Sequence, residues 1–143
     1  MTLSTPPTPE NSLRAAGLRV TKQRVAVLRS LDGRPHQTAA DIALGVRSQM
    51  GKVATQTVYD VLEALVAAGL LRRIQPAGHA MSYESRVGDN HHHAICRRCG
   101  SISDIDCLPA TAPCLAPPEL PQFIPDEAEI TFWGLCARCL TAA

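Results

Sequence analysis

Apolar residues recur at helical spacing through the first half of this chain and give way to short alternating runs in the second. The most regular stretch is TQTVYDVLEALVAAGLL, residues 55–71. Val58, Val61, Leu62, Leu65 and Val66 fall at i, i+3, i+4, i+7 and i+8 and so share one helical face. Gln56, Tyr59, Asp60 and Glu63 fall on the opposite, polar face, and Gly69 is the expected C-cap. Upstream, a helical pattern begins near Pro9–Ala16. Thr21 is placed to cap Lys22–Leu31, with Val25, Leu28 and Leu31 on its inner face and Asp32-Gly33 as its stop. Thr38 is placed to cap Ala39–Gln49, where Ile42, Val46 and either Met50 or Leu44 face inward. After Gly69, LLRRIQ and AMSYES read as two short strands around Pro76-Ala77-Gly78.

Helices followed by a basic hairpin predict a winged helix over residues 1–84, with the last helix entering the DNA major groove and the hairpin resting on phosphates. Thr55, Gln56, Thr57 and Tyr59 are then the candidate DNA contacts. Asp60 and Glu63 weigh against that reading, because carboxylates repel phosphate, although they can accept from cytosine N4. An ordinary helical domain with a solvated polar face is the alternative.

SRVGDN, residues 85–90, reads as a hinge, and residues 91–143 as a second module. HHHAIC, SISDID and AEITFWGLC alternate like strands. Between the last two lies LPATAPCLAPPELPQFIP with six of the eleven prolines, a density that forbids a long helix and predicts an irregular connection. The fold class expected is therefore α+β, with a helical front and a small α/β back.

The 143 residues suffice for one domain or two small ones, and 45% apolar content supports a buried core. The net charge of +1 conceals an asymmetry. Met1–Tyr83 holds ten Lys and Arg against five Asp and Glu, whereas the remainder holds four against eight. A basic front suits an anion such as nucleic acid, and an acidic, Cys/His-rich back suits cations. No apolar run approaches membrane-spanning length, and MTLSTPPTPE lacks the features of a signal peptide, so a cytoplasmic protein is expected.

Four of the six cysteines form two knuckles, Cys96-Arg97-Arg98-Cys99 and Cys136-Ala137-Arg138-Cys139. Two CxxC turns can complete a closed tetrahedral four-thiolate zinc site, here stapling distant parts of one module. Disulfides or a redox CxxC are the alternatives, the first disfavoured in the cytosol. Cys107 and Cys114 are left over as inert thiols, accessory ligands or a redox-sensitive pair.

On a strand, His91 and His93 project to one face and His92 to the other. The first two can chelate one ion, with Glu84, Asp89, Asp104 and Asp106 nearby; nitrogen–oxygen sites suit Fe(II), Mn(II), Co(II) or Zn(II). Three adjacent histidines can also be a surface accident. His36, after Pro35 and before a helix, is by itself an ordinary surface or capping residue. As a ligand it would let metal binding set the angle between the two modules. No nucleophile arrangement points to an enzyme or to a small-molecule substrate. A zinc hydrolase and a protein-binding zinc-ribbon adaptor are the rivals from other classes.

The pieces LRVTKQRVAVL, PHQTAADI, TQTVYDVLEALVAAGLLRRI, YES…HHHAICRRCG and WGLCARC, in this order over roughly residues 13–139, resemble the ferric uptake regulator superfamily. YESRVGDNHHH and the second cysteine pair look most like its actinobacterial CatR/FurA group of peroxide-responsive, PerR-like repressors. The resemblance implies an N-terminal winged-helix domain, a C-terminal dimerisation domain, and a homodimer on an AT-rich inverted repeat of duplex DNA. It implies Cys96, Cys99, Cys136 and Cys139 as structural zinc ligands, and His36, Glu84, His91, His93 and Asp104 around a regulatory Fe(II) or Mn(II). Arg19 and Tyr59 match DNA-contacting positions. The function implied is repression of oxidative-stress genes such as catalase-peroxidase, released when peroxide oxidises a ligand such as His36 or His91. Iron, zinc or nickel homeostasis is the alternative within the same fold. Four departures stand out: Ser85 where peroxide-type members carry Asp, Asp60 where many carry Arg or Asn, prolines over Leu108–Pro121 where a helix is usual, and Ala128 where some carry a further histidine ligand.

Overall fold

The computed structural model describes residues 6–107, 119–125 and 128–142. The chain forms two compact units, Met1–Val87 and Gly88–Ala143.

The first unit holds α1 (Pro9–Ala15), α2 (Lys22–Leu31), β1 (Gln37–Thr38), α3 (Ala39–Met50), α4 (Thr55–Ala67), β2 (Arg72–Ile74) and β3 (Ser82–Glu84). Each of the first three helices starts on a threonine whose hydroxyl accepts a backbone N–H of the first turn. The pairs are Asn11 N to Thr8 Oγ1 at 3.3 Å, Arg24 N to Thr21 Oγ1 at 3.2 Å, and Asp41 N to Thr38 Oγ1 at 3.2 Å. Asp41 returns the bond, accepting from Thr38 N at 3.3 Å, which completes a capping box. α4 differs: Ala54 at its N-cap supplies no side-chain bond. Its start is held instead by Arg47, which donates to Val53 O at 3.2 Å and to Thr55 Oγ1 at 3.0 Å.

The apolar stripes meet in one core built from Leu13, Val27, Leu31, Ile42, Val46, Val58, Leu62 and Leu65. Of the two residues proposed to close the inner face of α3, Met50 packs against this core while Leu44 is 65% exposed. Gly45 lets α3 approach α2, since a Cβ there would stand 2.8 Å from Ser30 Oγ. α4 ends where Gly69, at φ +72°, follows the cap residue Ala68, and Leu70 N bonds back to Leu65 O at 2.9 Å.

β2 and β3 form the expected hairpin, but only three residues of each pair, and β3 also pairs antiparallel with β1 in the order β1-β3-β2. The two residues of β1 are too few to show a period of two, so the sequence marks only the Thr38 cap.

The second unit holds β4 (His91–Cys96), β5 (Ile102–Asp106), β6 (Thr131–Gly134) and α5 (Ala137–Thr141), with strand order β5-β4-β6. β5 runs antiparallel to β4 and β6 parallel to it. The expected strand over 128–136 shortens to four residues, and a five-residue helix that the sequence reading lacks follows it. Residues 119–125 contain neither helix nor strand, only a turn closed by Phe123 N to Leu120 O at 3.1 Å. The rest of the Leu108–Pro121 departure lies outside the described residues. Among those residues no helix is long and apolar enough to cross a membrane.

Candidate functional site

The parallel pairing of β4 and β6 builds the cysteine cluster. Register Cys96↔Gly134 puts the exits of both strands at the same end of the sheet, and each exit carries one CxxC. Cys96 closes β4 and turns back through Gly100 N to Cys96 O at 2.9 Å; Cys136 is the N-cap of α5, and Cys139 lies in its first turn. The four sulfur atoms lie within 4.8 Å of one another, and Cys99 Sγ and Cys136 Sγ are 3.7 Å apart. A tetrahedral zinc with bonds of about 2.3 Å requires sulfurs about 3.8 Å apart, so the cluster fits that ion.

Electrostatics divide the thiols. The Ser101 hydroxyl and backbone, then Arg138, hold Cys99 down to about 5, whereas burial first, followed by the neighbouring sulfurs, pushes Cys139 up to about 12. Cys96 is also lowered, mainly by backbone N–H groups at Cys136 and Cys99. Arg98 ties the first knuckle to the second, donating to Cys139 O at 2.6 Å and Ala142 O at 2.7 Å. Arg97 lies over the Trp133 ring at 5.3 Å. In the sequence these arginines are only neighbours of the cysteines; their carbonyl and ring partners come from the fold.

The histidines of β4 separate by face as strand alternation requires. His93 sits opposite Asp104 and His91 opposite Asp106. Asp104 Oδ1 lies 3.5 Å from His93 Nε2 and 3.8 Å from His91 Nε2, and the two rings meet edge to face at 4.9 Å. His92 instead accepts from Ile130 N through Nδ1 at 3.3 Å, on the side of β6. Asp89, named only as a nearby carboxylate, accepts from His91 Nδ1 at 2.6 Å. Holding the proton on Nδ1 leaves the Nε2 lone pair for a metal, a common second partner of ligating histidines.

In the first unit His36 Nε2 and Glu84 Oε2 are 3.2 Å apart, both side chains buried. His36 adopts φ +62°, a left-handed conformation uncommon outside glycine, where it turns the chain into β1. Ser85 is exposed. Cys107 follows β5 half-buried; Cys114 lies outside the described residues.

The α4 face opposite the core exposes Thr55, Gln56, Tyr59, Asp60 and Glu63, while Thr57 is half-buried. Glu63 pairs with Arg73 of β2 at 3.1 Å. Arg19 is exposed before α2, and its carbonyl accepts from Arg24 at 2.7 Å.

A four-thiolate cluster, histidine–carboxylate pairs and an exposed polar helix on an α+β fold are the parts of a metal-dependent transcriptional regulator. The chain belongs to the ferric uptake regulator family, whose pattern it matches over residues 15–109. It is 51% identical over 137 residues to the transcriptional regulator FurA of Mycobacterium bovis, covering 96% of this chain and 93% of that one. It is 26% identical to the peroxide-responsive repressor PerR of Staphylococcus aureus, covering 90% of this chain and 86% of that one. The ferric uptake regulator of Pseudomonas aeruginosa, solved with manganese, shares its fold with a TM-score of 0.69 at 24% identity, covering 92% and 99% of the two chains.

Proposed function

We propose that the chain is a homodimeric, cytoplasmic repressor that binds an AT-rich inverted repeat, with residues 1–84 as a winged-helix DNA reader, 85–90 as a hinge and 91–143 as the dimerisation and metal-binding module. Cys96, Cys99, Cys136 and Cys139 hold structural zinc. His36 and Glu84 from the first unit, with His91, His93 and Asp104 from the second, hold one regulatory Fe(II) or Mn(II). The observation that carries this reading is that each unit offers its own histidine–carboxylate pair, at 3.2 Å and 3.5 Å. One ion bound by both pairs favours one arrangement of the units over all others, and DNA affinity follows that population.

Bound there, Fe(II) would supply the reductive cleavage of peroxide, and His36 and His91 are the imidazoles that this reading places beside it. In net terms one peroxide breaks its O–O bond, gives one oxygen to an imidazole carbon and leaves as water. The oxidised ring carries N–H where the ligating lone pair was and ceases to be a ligand. The repressed genes, catalase-peroxidase among them, are then expressed. Glu84 against His36, with Ser85 bearing no carboxylate, favours a second reading, an iron-homeostasis repressor whose site reports metal level alone.

The test is anaerobic binding of the zinc-loaded protein to its own promoter DNA, titrated with Fe(II) and then given a small peroxide pulse. The peroxide reading expects Fe(II)-induced binding that the pulse abolishes, a Mn(II) form that survives, and a gain of one oxygen on His36 or His91 by mass spectrometry. Fe(II)-induced binding that persists through the pulse selects the iron reading. Absence of any metal-induced, salt-dependent duplex binding overturns both.

A further inference from the structure

The exposed face of α4 carries two carboxylates, an expensive choice for a helix meant to approach phosphates. Glu63 is answered by Arg73 at 3.1 Å. Asp60 is not answered by a cation among the described residues; its oxygen Oδ1 accepts from Gln56 Nε2 at 2.8 Å, one helical turn away. That bond uses one of the two amide hydrogens of Gln56 and one of the two carboxylate oxygens of Asp60. What remains facing outward is a donor and an acceptor on Gln56 and a bare anionic acceptor on Asp60. Both residues are exposed, in the N-terminal half of a helix whose first turn has no side-chain cap and so offers backbone N–H groups to a phosphate.

We propose that Gln56 and Asp60 read DNA as one unit, with Gln56 selecting adenine and Asp60 selecting an amino base, cytosine or adenine, at the adjoining pair. Adenine alone presents N7 as acceptor beside N6–H as donor in the major groove, the complement of a carboxamide. Only cytosine N4 and adenine N6 present donors there to a carboxylate, whereas the keto oxygens of guanine and thymine repel it. Asp60 is a positioning residue as well as a reading one, since its bond to Gln56 limits the rotamers of a flexible amide before DNA arrives. The inference rests on the DNA-binding reading above and assigns to this face a specificity that its net charge alone does not.

The test is selection of bound duplexes from a randomised library by the zinc- and Mn(II)-loaded full chain, compared among wild type, D60N, D60A and Q56A. In D60N the amide oxygen still accepts from Gln56, while the group facing the base becomes a donor. The preferred base should switch from an amino to a keto base, a change of about tenfold in relative affinity at that position. D60A should lose that preference and relax the neighbouring adenine, and Q56A should lose adenine while keeping the amino base. Both positions are solvent-facing, and unchanged helical circular dichroism checks that the three variants fold. A selected sequence that D60N leaves unaltered, or affinity that falls equally for every sequence, overturns the inference and leaves the DNA-binding reading standing. A wild-type chain that enriches no duplex overturns that reading itself.

Discussion

Stripping the four-thiolate metal should unfold the second unit and spare the first. Among the described residues of the second unit, Ile95 is the sole aliphatic side chain that is fully buried, whereas the first unit buries eight Leu, Ile and Val residues in one cluster together with Val25 and Leu71. The metal closes a loop of 44 residues from Cys96 to Cys139. For a cross-link of that span the chain-entropy relation gives about 4 kcal/mol. A core in so small a unit supplies about 3–5 kcal/mol in all, so its loss leaves little or nothing. With a urea slope of about 1 kcal/mol per molar, the midpoint should fall by about 4 M, to the edge of unfolding in plain buffer. The assay is urea denaturation before and after chelation, followed by two signals. Trp133 is the one tryptophan of the chain and stands in β6, so its fluorescence reports the second unit. Circular dichroism at the helical band reports mainly α1 to α4. The fluorescence transition should collapse, the helical transition should hold, and Cys136→Ser should reproduce the result without chelator. A tryptophan transition unmoved after verified metal loss, or both signals falling together at one midpoint, would refute the reasoning.

Three other outcomes follow from the same geometry. Asp89→Ala should weaken regulatory Mn(II) by about 10- to 100-fold in calorimetric titration with zinc content unchanged, because His91 loses the acceptor that orients it; unchanged affinity removes Asp89 from the site. Because metal loss unfolds the second unit, Cys99 and Cys139 of metal-free protein should be alkylated together, with the pH profile of ordinary thiols, when iodoacetamide labelling is read by mass spectrometry. Cys99 labelling from about pH 5 well ahead of Cys139 would show the unit still folded. In the folded unit the depressed Cys99 thiol favours the fold fully above its ordinary value of 9 and loses that contribution as pH falls through about 5, while burial of Cys139 delays its ionisation toward about 12. Leu62→Ala, at a side chain with no exposure, should cost the first unit about 2–5 kcal/mol in helical unfolding, and a cost well under 1 kcal/mol would contradict the packing.

Much of the first unit was legible because its signals are local. Thr21 and Thr38 announce helix starts by the hydroxyl they carry, and Gly69 announces an end by the φ it permits. The stripe from Val58 to Val66 follows from helical period alone. The cysteine spacing was equally plain, since a CxxC turn converges two sulfurs whatever surrounds it. Alternation along HHH was enough to send His91 and His93 one way and His92 the other.

What only the tertiary structure decided depends on pairing at long range. Two residues of β1 carry no period, yet pairing with β3 makes them a strand and holds His36 at positive φ near Glu84. Nothing local says that β6 runs parallel to β4, and that register alone carries the second CxxC to the end where the first one lies. The choice of Met50 over Leu44 waited on how α3 packs. Asp89 could not be told from its neighbouring carboxylates until β4 fixed the direction of the His91 ring. By itself the sequence determined the elements and the chemistry each carries; which of those chemistries meet was decided by strand register, because contacts between residues far apart in the chain leave no periodic mark within it.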